Sequence, residues 1–362
     1  METELHNLVF VWISVVAAQI YCRCISNLVP VGARRLFFFL PVILLFLLLP
    51  LRLTTLTLAG LTSFFVAWLS NFKLLLLAFG KGPLVPPSTS PPLSLPLFVA
   101  ISSLPIKICP PAESVSSKNG SGGGRGLKSP ANYVVKCLLL VSLFPLYQRS
   151  DYVPEKVMML AYSVHMYIVL EVALAMVGAA AARLIGVALE PQFNEPYLAT
   201  SLQDFWGRRW NLMVTSILRP SVYEPIRSAS GRLVGRQWAP LPAVCATFLV
   251  SALMHELVFY YIGREEPTWA VTWFFLLHGV AVAAEVAAKK ALHGTTWWLP
   301  AEVSRLLTVG FVVATGFWLF LPPLLRYDTV AKARMETMAV IEFLKRLWSI
   351  LRFVSFTIVS GP

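Results

Sequence analysis

Apolar runs set the terms for this chain. It alternates between stretches that reach or approach the ~20 residues a helix needs to cross a bilayer and short connections rich in polar residues or proline. The runs fall at about Leu8–Ile25, Leu36–Leu51 (interrupted by Pro41), Leu56–Phe79, Tyr133–Tyr147 and Val157–Leu189, the last with a break expected near Gly178 or Gly186. They continue at about Leu241–Ile262, Trp269–Ala288, Val303–Leu321 and Met338–Val359. Backbone in hydrocarbon has to satisfy its hydrogen bonds internally, which makes helices the answer for such runs. The expected fold is therefore all-α, a polytopic transmembrane helical bundle of about eight to ten spans. Composition agrees: only 13% of the 362 residues are charged, against roughly a quarter in soluble domains. No internal repeat is visible, which counts against the repeat-built transporters.

Between the runs, the character of the sequence changes. Residues 1–80 read as N-terminal transmembrane helices, 81–130 as a Pro/Ser/Gly-rich cytosolic loop, and 131–362 as a transmembrane core. Within the loop, Ser121–Gly126 reads as flexible. Leu93–Ile108 is apolar but broken by Pro96 and Pro105, too short to span and expected at the interface. The first run follows Glu2 and Glu4 and lacks a small-residue cleavage site, so a retained anchor is expected. The net charge of +12 lies between apolar runs, where it signals topology and headgroup contact rather than nucleic acid. With the first span starting in the lumen, Arg34, Arg35, Lys81, Lys107, Arg208, Arg209, Arg227 and Lys290 face the cytosol, while Arg52, Arg149, Arg264 and Arg326 fall on the other side. That bias obeys the positive-inside rule. Cys22, Cys24, Cys109, Cys137 and Cys245 show no zinc-like spacing, so neither a disulfide framework nor a metal site is expected.

Ionisable groups inside spans are costly, and functional by default. His255 stands in Ser251-Ala-Leu-Met-His-Glu-Leu-Val-Phe-Tyr-Tyr261. An imidazole can take a proton near neutral pH and so activate a hydroxyl for attack on an acyl group. The alternative is a buried polar residue that joins helices. Glu256 follows it, but adjacent helical residues point about 100° apart and need not meet. Upstream lies Asp204-Phe-Trp-Gly-Arg-Arg-Trp-Asn211. Asn211 suits orienting a carbonyl or holding an oxyanion. Arg208 and Arg209 suit phosphates of a large anionic substrate, and Trp206 and Trp210 an interfacial belt. The competing reading of this segment is a membrane-surface helix whose arginines meet lipid headgroups. His278, in Phe274-Phe-Leu-Leu-His-Gly279, and the pair His165 and Glu171 read as packing residues. Glu285 can pair with Lys289 at i+4 or with another helix, and Lys73 can snorkel to the cytosolic face.

Five segments together carry a resemblance to the plant wax synthase family within the membrane-bound O-acyltransferase superfamily. They are Ser70–Leu84, Leu104-Pro-Ile-Lys-Ile108, Asn194–Asn211, Ser251–Tyr261 and Phe274–Gly279. The resemblance runs along nearly the whole chain; the Gly-rich stretch near Ser121 is unmatched and reads as an insertion. It implies an internal acyl tunnel and transfer of an acyl group from acyl-CoA to a lipid alcohol at the endoplasmic reticulum membrane. It also implies a catalytic pair at His255 and Asn211, with Glu256 and His278 in support. Acyl-CoA is then a substrate, with no cofactor required. Members of the superfamily differ in acceptor, so a sterol or diacylglycerol stands beside a long-chain alcohol. Outside the class, a lipid transporter or an inactive scaffold remains; oligomeric state is not legible.

Overall fold

The computed structural model describes residues 2–86, 92–108, 130–149, 152–186, 189–292 and 299–326, with scattered residues to 345. The expected flexible stretch at Ser121–Gly126 and most of the Met338–Val359 run lie outside the described residues. Among the described residues, eight helices are long and apolar enough to cross a membrane: Thr3–Leu28, Ala33–Arg52, Leu56–Ala78, Ala131–Gln148, Glu155–Leu184, Gly235–Gly263, Ala270–Ala291 and Ala301–Arg326. They match the first eight apolar runs in order and are called the first to eighth spans. Gly178 does not break the fifth span. The helix runs from Glu155 to Ile185 and stops where Gly186 adopts φ 74°, a left-handed turn that glycine takes without a Cβ clash.

The third span is the axis of the molecule. Its most apolar stretch is 78% buried, against 33% or less in the other seven. One apolar cluster joins it to the first two spans and to the short helix Leu95–Ser103. A second cluster joins it, through Trp68, Leu69 and Leu76, to helix Leu212–Leu218 and to Val250, Met254 and Val258 of the sixth span. The sixth and seventh spans share a third cluster with Leu319, Phe320 and Leu324 of the eighth. Gly279 allows their close approach, for a Cβ there would sit 2.8 Å from Cβ of Phe248.

One expectation about the N-terminal half is refined and one corrected. Leu93–Ile108 is anchored to the bundle as well as being too short to span. Its helical part, Leu95–Ser103, buries Phe98 and Ile101 against the first and third spans. Lys73 does not snorkel. It is fully buried, and its Nζ donates to the carbonyl oxygens of Ile101 and Leu104, both at 2.6 Å. These carbonyls belong to the last turn and cap of the short helix, where unpaired acceptors and the negative end of the helix dipole favour a cation. Ser70 completes the tie by donating to Ser102 O at 2.7 Å. At the same end of the bundle Arg35 is also buried, donating to the carbonyls of Ser26, Val29 and Leu77, so it clasps the ends of the first and third spans. Arg264 does the same at the opposite end, donating to Pro50 O and Leu53 O. Where no water can hydrogen-bond them, such clasps satisfy helix-end backbone carbonyls.

Two outcomes follow from this packing. Gly279→Val drives a side chain into Phe248, and overpacking of about 1–3 kcal/mol is expected to lower the thermal midpoint of the detergent-purified protein. Lys73→Met leaves two buried carbonyls without donors, at about 1–3 kcal/mol each, and is expected to reduce membrane accumulation more than Lys81→Met does.

Candidate active site

His255 lies in the sixth span, about 12 Å from Gly263 by the helical rise. Its Nδ1 is 2.7 Å from Ser251 O. A carbonyl can only accept, so Nδ1 carries the hydrogen and the neutral ring presents its lone pair at Nε2. Nε2 has no protein partner among the described residues. Aromatic rings enclose the imidazole: Phe275 stacks on it at 4.2 Å between centroids, Trp68 meets it edge-on at 4.9 Å and Phe320 at 6.1 Å. The Nε1–H of Trp68 is buried, with no acceptor among the described residues.

His278 is a different case. It is fully buried, its Nδ1 bonds Phe274 O at 2.8 Å, and its Nε2 lies 3.4 Å from the Thr315 hydroxyl. Phe274, Phe311 and Trp206 close around it at 4.2, 5.1 and 5.4 Å. Both ring nitrogens face protein atoms, so His278 helps hold the aromatic cluster in register beside His255.

Wide helical turns deliver several of these rings. Ser63–Ser70, Phe205–Arg209 and Gly316–Phe320 are π-helical, and they carry Trp68, Trp206 and Phe320 respectively. A π turn rotates side chains away from the 3.6-residue register, and such turns concentrate at functional sites. Sequence periodicity assumes that register and so does not single out Trp68 and Phe320. No local signal separates them from the other aromatic residues of the spans.

In the Asp204–Asn211 segment both tryptophans are half-buried and pack on other rings. Trp206 packs on Phe248, Phe275 and His278, and Trp210 on Phe193, Phe205 and Tyr167. Arg209 is engaged within the fold: its Nε donates to Asp204 Oδ2 at 2.6 Å and its Nη1 faces the carbonyls of Asn194 and Glu195. Arg208 is exposed and has no partner among the described residues, so of the two arginines it is the one free to meet a phosphate.

Asn211 is buried, in a left-handed conformation with φ 39°. That geometry suits asparagine, whose short polar side chain offsets the Cβ cost. Its Oδ1 accepts from Val214 N at 3.3 Å and caps helix Leu212–Leu218. Its amide NH2 has no partner among the described residues. The capped helix packs Met213 and Ile217 on Trp68 and beside Met254 of the sixth span. Asn211 and His255 therefore border one cluster centred on Trp68.

Glu256 does not touch His255. It turns to the seventh span, where its Oε1 accepts from Thr272 N at 2.9 Å and from the Thr272 hydroxyl at 3.0 Å. This caps the start of Ala270–Ala291 from a neighbouring helix and so sets the depth of Phe275 and His278. Glu285 makes both contacts open to it, accepting from Lys289 and from Leu202 N. Glu171, read as packing, is a buried ion-pair partner of Lys136 at 2.6 Å.

The fold is thus a multi-pass membrane bundle in which aromatic rings enclose His255. Residues 189–277 match the membrane bound O-acyl transferase family. The chain is 46% identical to acyl-CoA–sterol O-acyltransferase 1 of Arabidopsis thaliana, across 91% of this chain and 93% of the relative. It is 44% identical to a long-chain-alcohol O-fatty-acyltransferase of Simmondsia chinensis, across 92% and 93%. It is also 42% identical to the probable long-chain-alcohol O-fatty-acyltransferase 3 of Arabidopsis thaliana, across 97% and 99%. The chain belongs to the membrane bound O-acyl transferase family and is an acyltransferase.

The capping role of Glu256 makes a clear distinction. Glu256→Gln keeps an acceptor for Thr272 N and is expected to retain activity within a few-fold, whereas Glu256→Ala loses about 1 kcal/mol or more of helix-end stabilisation and most of its turnover. Equal losses in initial-rate assays would show that the charge, not the cap, matters.

Proposed function

We propose that this enzyme transfers a fatty acyl group from acyl-CoA to a long-chain alcohol, forming a wax ester at the endoplasmic reticulum membrane. The observation that carries the mechanism is the Nδ1–H to Ser251 bond, which leaves the lone pair at Nε2 of His255 as proton acceptor. The acceptor hydroxyl gives its proton to Nε2 as its oxygen attacks the thioester carbonyl. The free amide N–H of Asn211 steadies the developing oxyanion or orients a reactant. The tetrahedral adduct collapses, the C–S bond breaks, and the imidazolium returns the proton to the departing CoA thiolate. Both substrates are held together, so the reaction avoids the entropy of a second encounter. Arg208 meets the CoA phosphates at the cytosolic face. Acyl-CoA is a substrate, and no further cofactor is invoked.

The long-chain alcohol is favoured by the names of two of the relatives cited; the sterol acyltransferase at 46% identity favours the second reading, a sterol acceptor. One assay separates them. Microsomes from host cells lacking neutral-lipid acyltransferases receive labelled acyl-CoA with fatty alcohol, sterol or diacylglycerol in turn. Wax ester is the expected product; sterol ester alone replaces the first reading with the second, and substrate movement without ester points to transport.

Two variants test the residues. His255→Ala is expected to abolish transfer while the protein still accumulates in membranes; retained activity removes His255 from the chemistry. Asn211→Asp keeps an oxygen to cap Val214 N but removes the amide donor, and a loss of about tenfold or more in kcat is expected. Near-normal turnover limits Asn211 to its capping role.

A further inference from the structure

A cleft separate from the His255 centre lies between the fourth and fifth spans and the extended segment after the fifth. It is partly open, and its empty space, counted with the solvent at its mouth, is about 440 Å³. Glu171, Leu174, Ala175 and Gly178 line it from the fifth span. They recur at i, i+3, i+4 and i+7, which is one face of a helix. Gln192 and Phe193 line the other side. The floor thus runs about two helical turns, some 10 Å, inside a membrane span. Around it the two spans turn apolar side chains outward: Leu138 is 63% exposed and Met176 67%.

The polar atoms state what the cleft would hold. Gln192 donates through Nε2 to Pro105 O at 2.7 Å, which fixes the amide and leaves Oε1 as an acceptor. Oε1 is buried, with no donor among the described residues. Glu171 and Glu190, both lining the cleft, disfavour an anionic head; the nearby cations are engaged, Lys136 with Glu171 and Lys107 with Glu190. An acyl chain has no donor to offer. A neutral hydroxyl does. The cleft is also joined to the reaction centre, because Gln192 O accepts from Leu212 N at 2.8 Å, one residue from Asn211. Phe193 packs on Trp210 at 5.2 Å.

We infer that this cleft binds the hydroxyl end of the acceptor lipid, with the hydroxyl donating to Gln192 Oε1 and the hydrocarbon lying along Leu174, Ala175 and Gly178. The assignment rests on the acyltransferase reading above and adds where the acceptor waits. Small residues on the fifth span leave the room. A Cβ at Gly178 meets nothing within 4 Å, so a larger side chain there can start into the cleft without an immediate clash.

The test uses the full chain in lipid nanodiscs. A long-chain primary alcohol bearing a mid-chain diazirine is photolysed with the protein, and a diazirine-bearing sterol forms the second arm. Labelling is expected on peptides from 131–148 and 155–184, competed by unlabelled alcohol but not by its methyl ether. Whichever arm labels identifies the lipid. Gly178→Phe should abolish the label and raise KM for the alcohol about tenfold or more, leaving KM for acyl-CoA unchanged; Gln192→Leu should do the same through loss of the acceptor. If Gly178→Phe does not accumulate, Ala175→Leu carries the same comparison. Labelling that persists in the filled variants, competition by the methyl ether, or a rise in KM for acyl-CoA instead overturns the assignment. Photolabelling needs no turnover, so the two readings fail separately. Label in the cleft without any ester product sinks the reaction, and ester product with label elsewhere sinks the cleft.

Discussion

Glu256 and Thr272 form the contact on which the centre depends. A carboxylate on the sixth span holds the amide and hydroxyl of Thr272 in the first turn of the seventh. Helix ends leave backbone donors unpaired, and within a membrane protein those donors need a protein acceptor. Meeting that demand from a neighbouring helix does more than satisfy an amide. It sets how far the seventh span slides along the sixth, and so brings Phe275 to stack on His255 and His278 to meet Trp206. Gly279 against Phe248 then sets how close the two spans lie.

The same demand recurs across the fold and explains the buried cations. Lys73, Arg35 and Arg264 each donate to backbone carbonyls at the end of a different helix. Each joins segments far apart in sequence. Charge is retained inside the bundle where helix ends supply acceptors, and the macrodipole adds to the attraction. The His255 centre reverses that pattern. There a lone pair at Nε2 and the donors of Trp68 and Asn211 stand without protein partners among the described residues, amid aromatic rings. Unpaired polar groups in a built-up setting are the groups a substrate can meet.

The extended segments around Asn211 form a second organising unit. Residues 105–108, 189–194 and 209–212 are stitched by backbone bonds from Glu190 N to Lys107 O, Asn194 N to Arg209 O and Leu212 N to Gln192 O. This ties the short helix Leu95–Ser103, the end of the fifth span and the capped helix Leu212–Leu218 into one support. Arg209 belongs to that support through Asp204, which is why only Arg208 of the pair is left outward.

By itself, the sequence determined the number and order of the first eight spans, because apolar length against bilayer thickness needs no tertiary information. It also singled out His255 and Asn211, since an ionisable residue in an apolar run and a polar residue before one stand out locally, and the resemblance joined them. Tertiary structure alone decided partners. That Glu256 turns to Thr272 rather than His255, that Lys73 is buried against Ile101, and that Trp206 and Trp210 point inward depend on neighbouring helices and on π turns that break the register. Periodicity describes a face of one helix; which atoms that face meets is set by the packing of another.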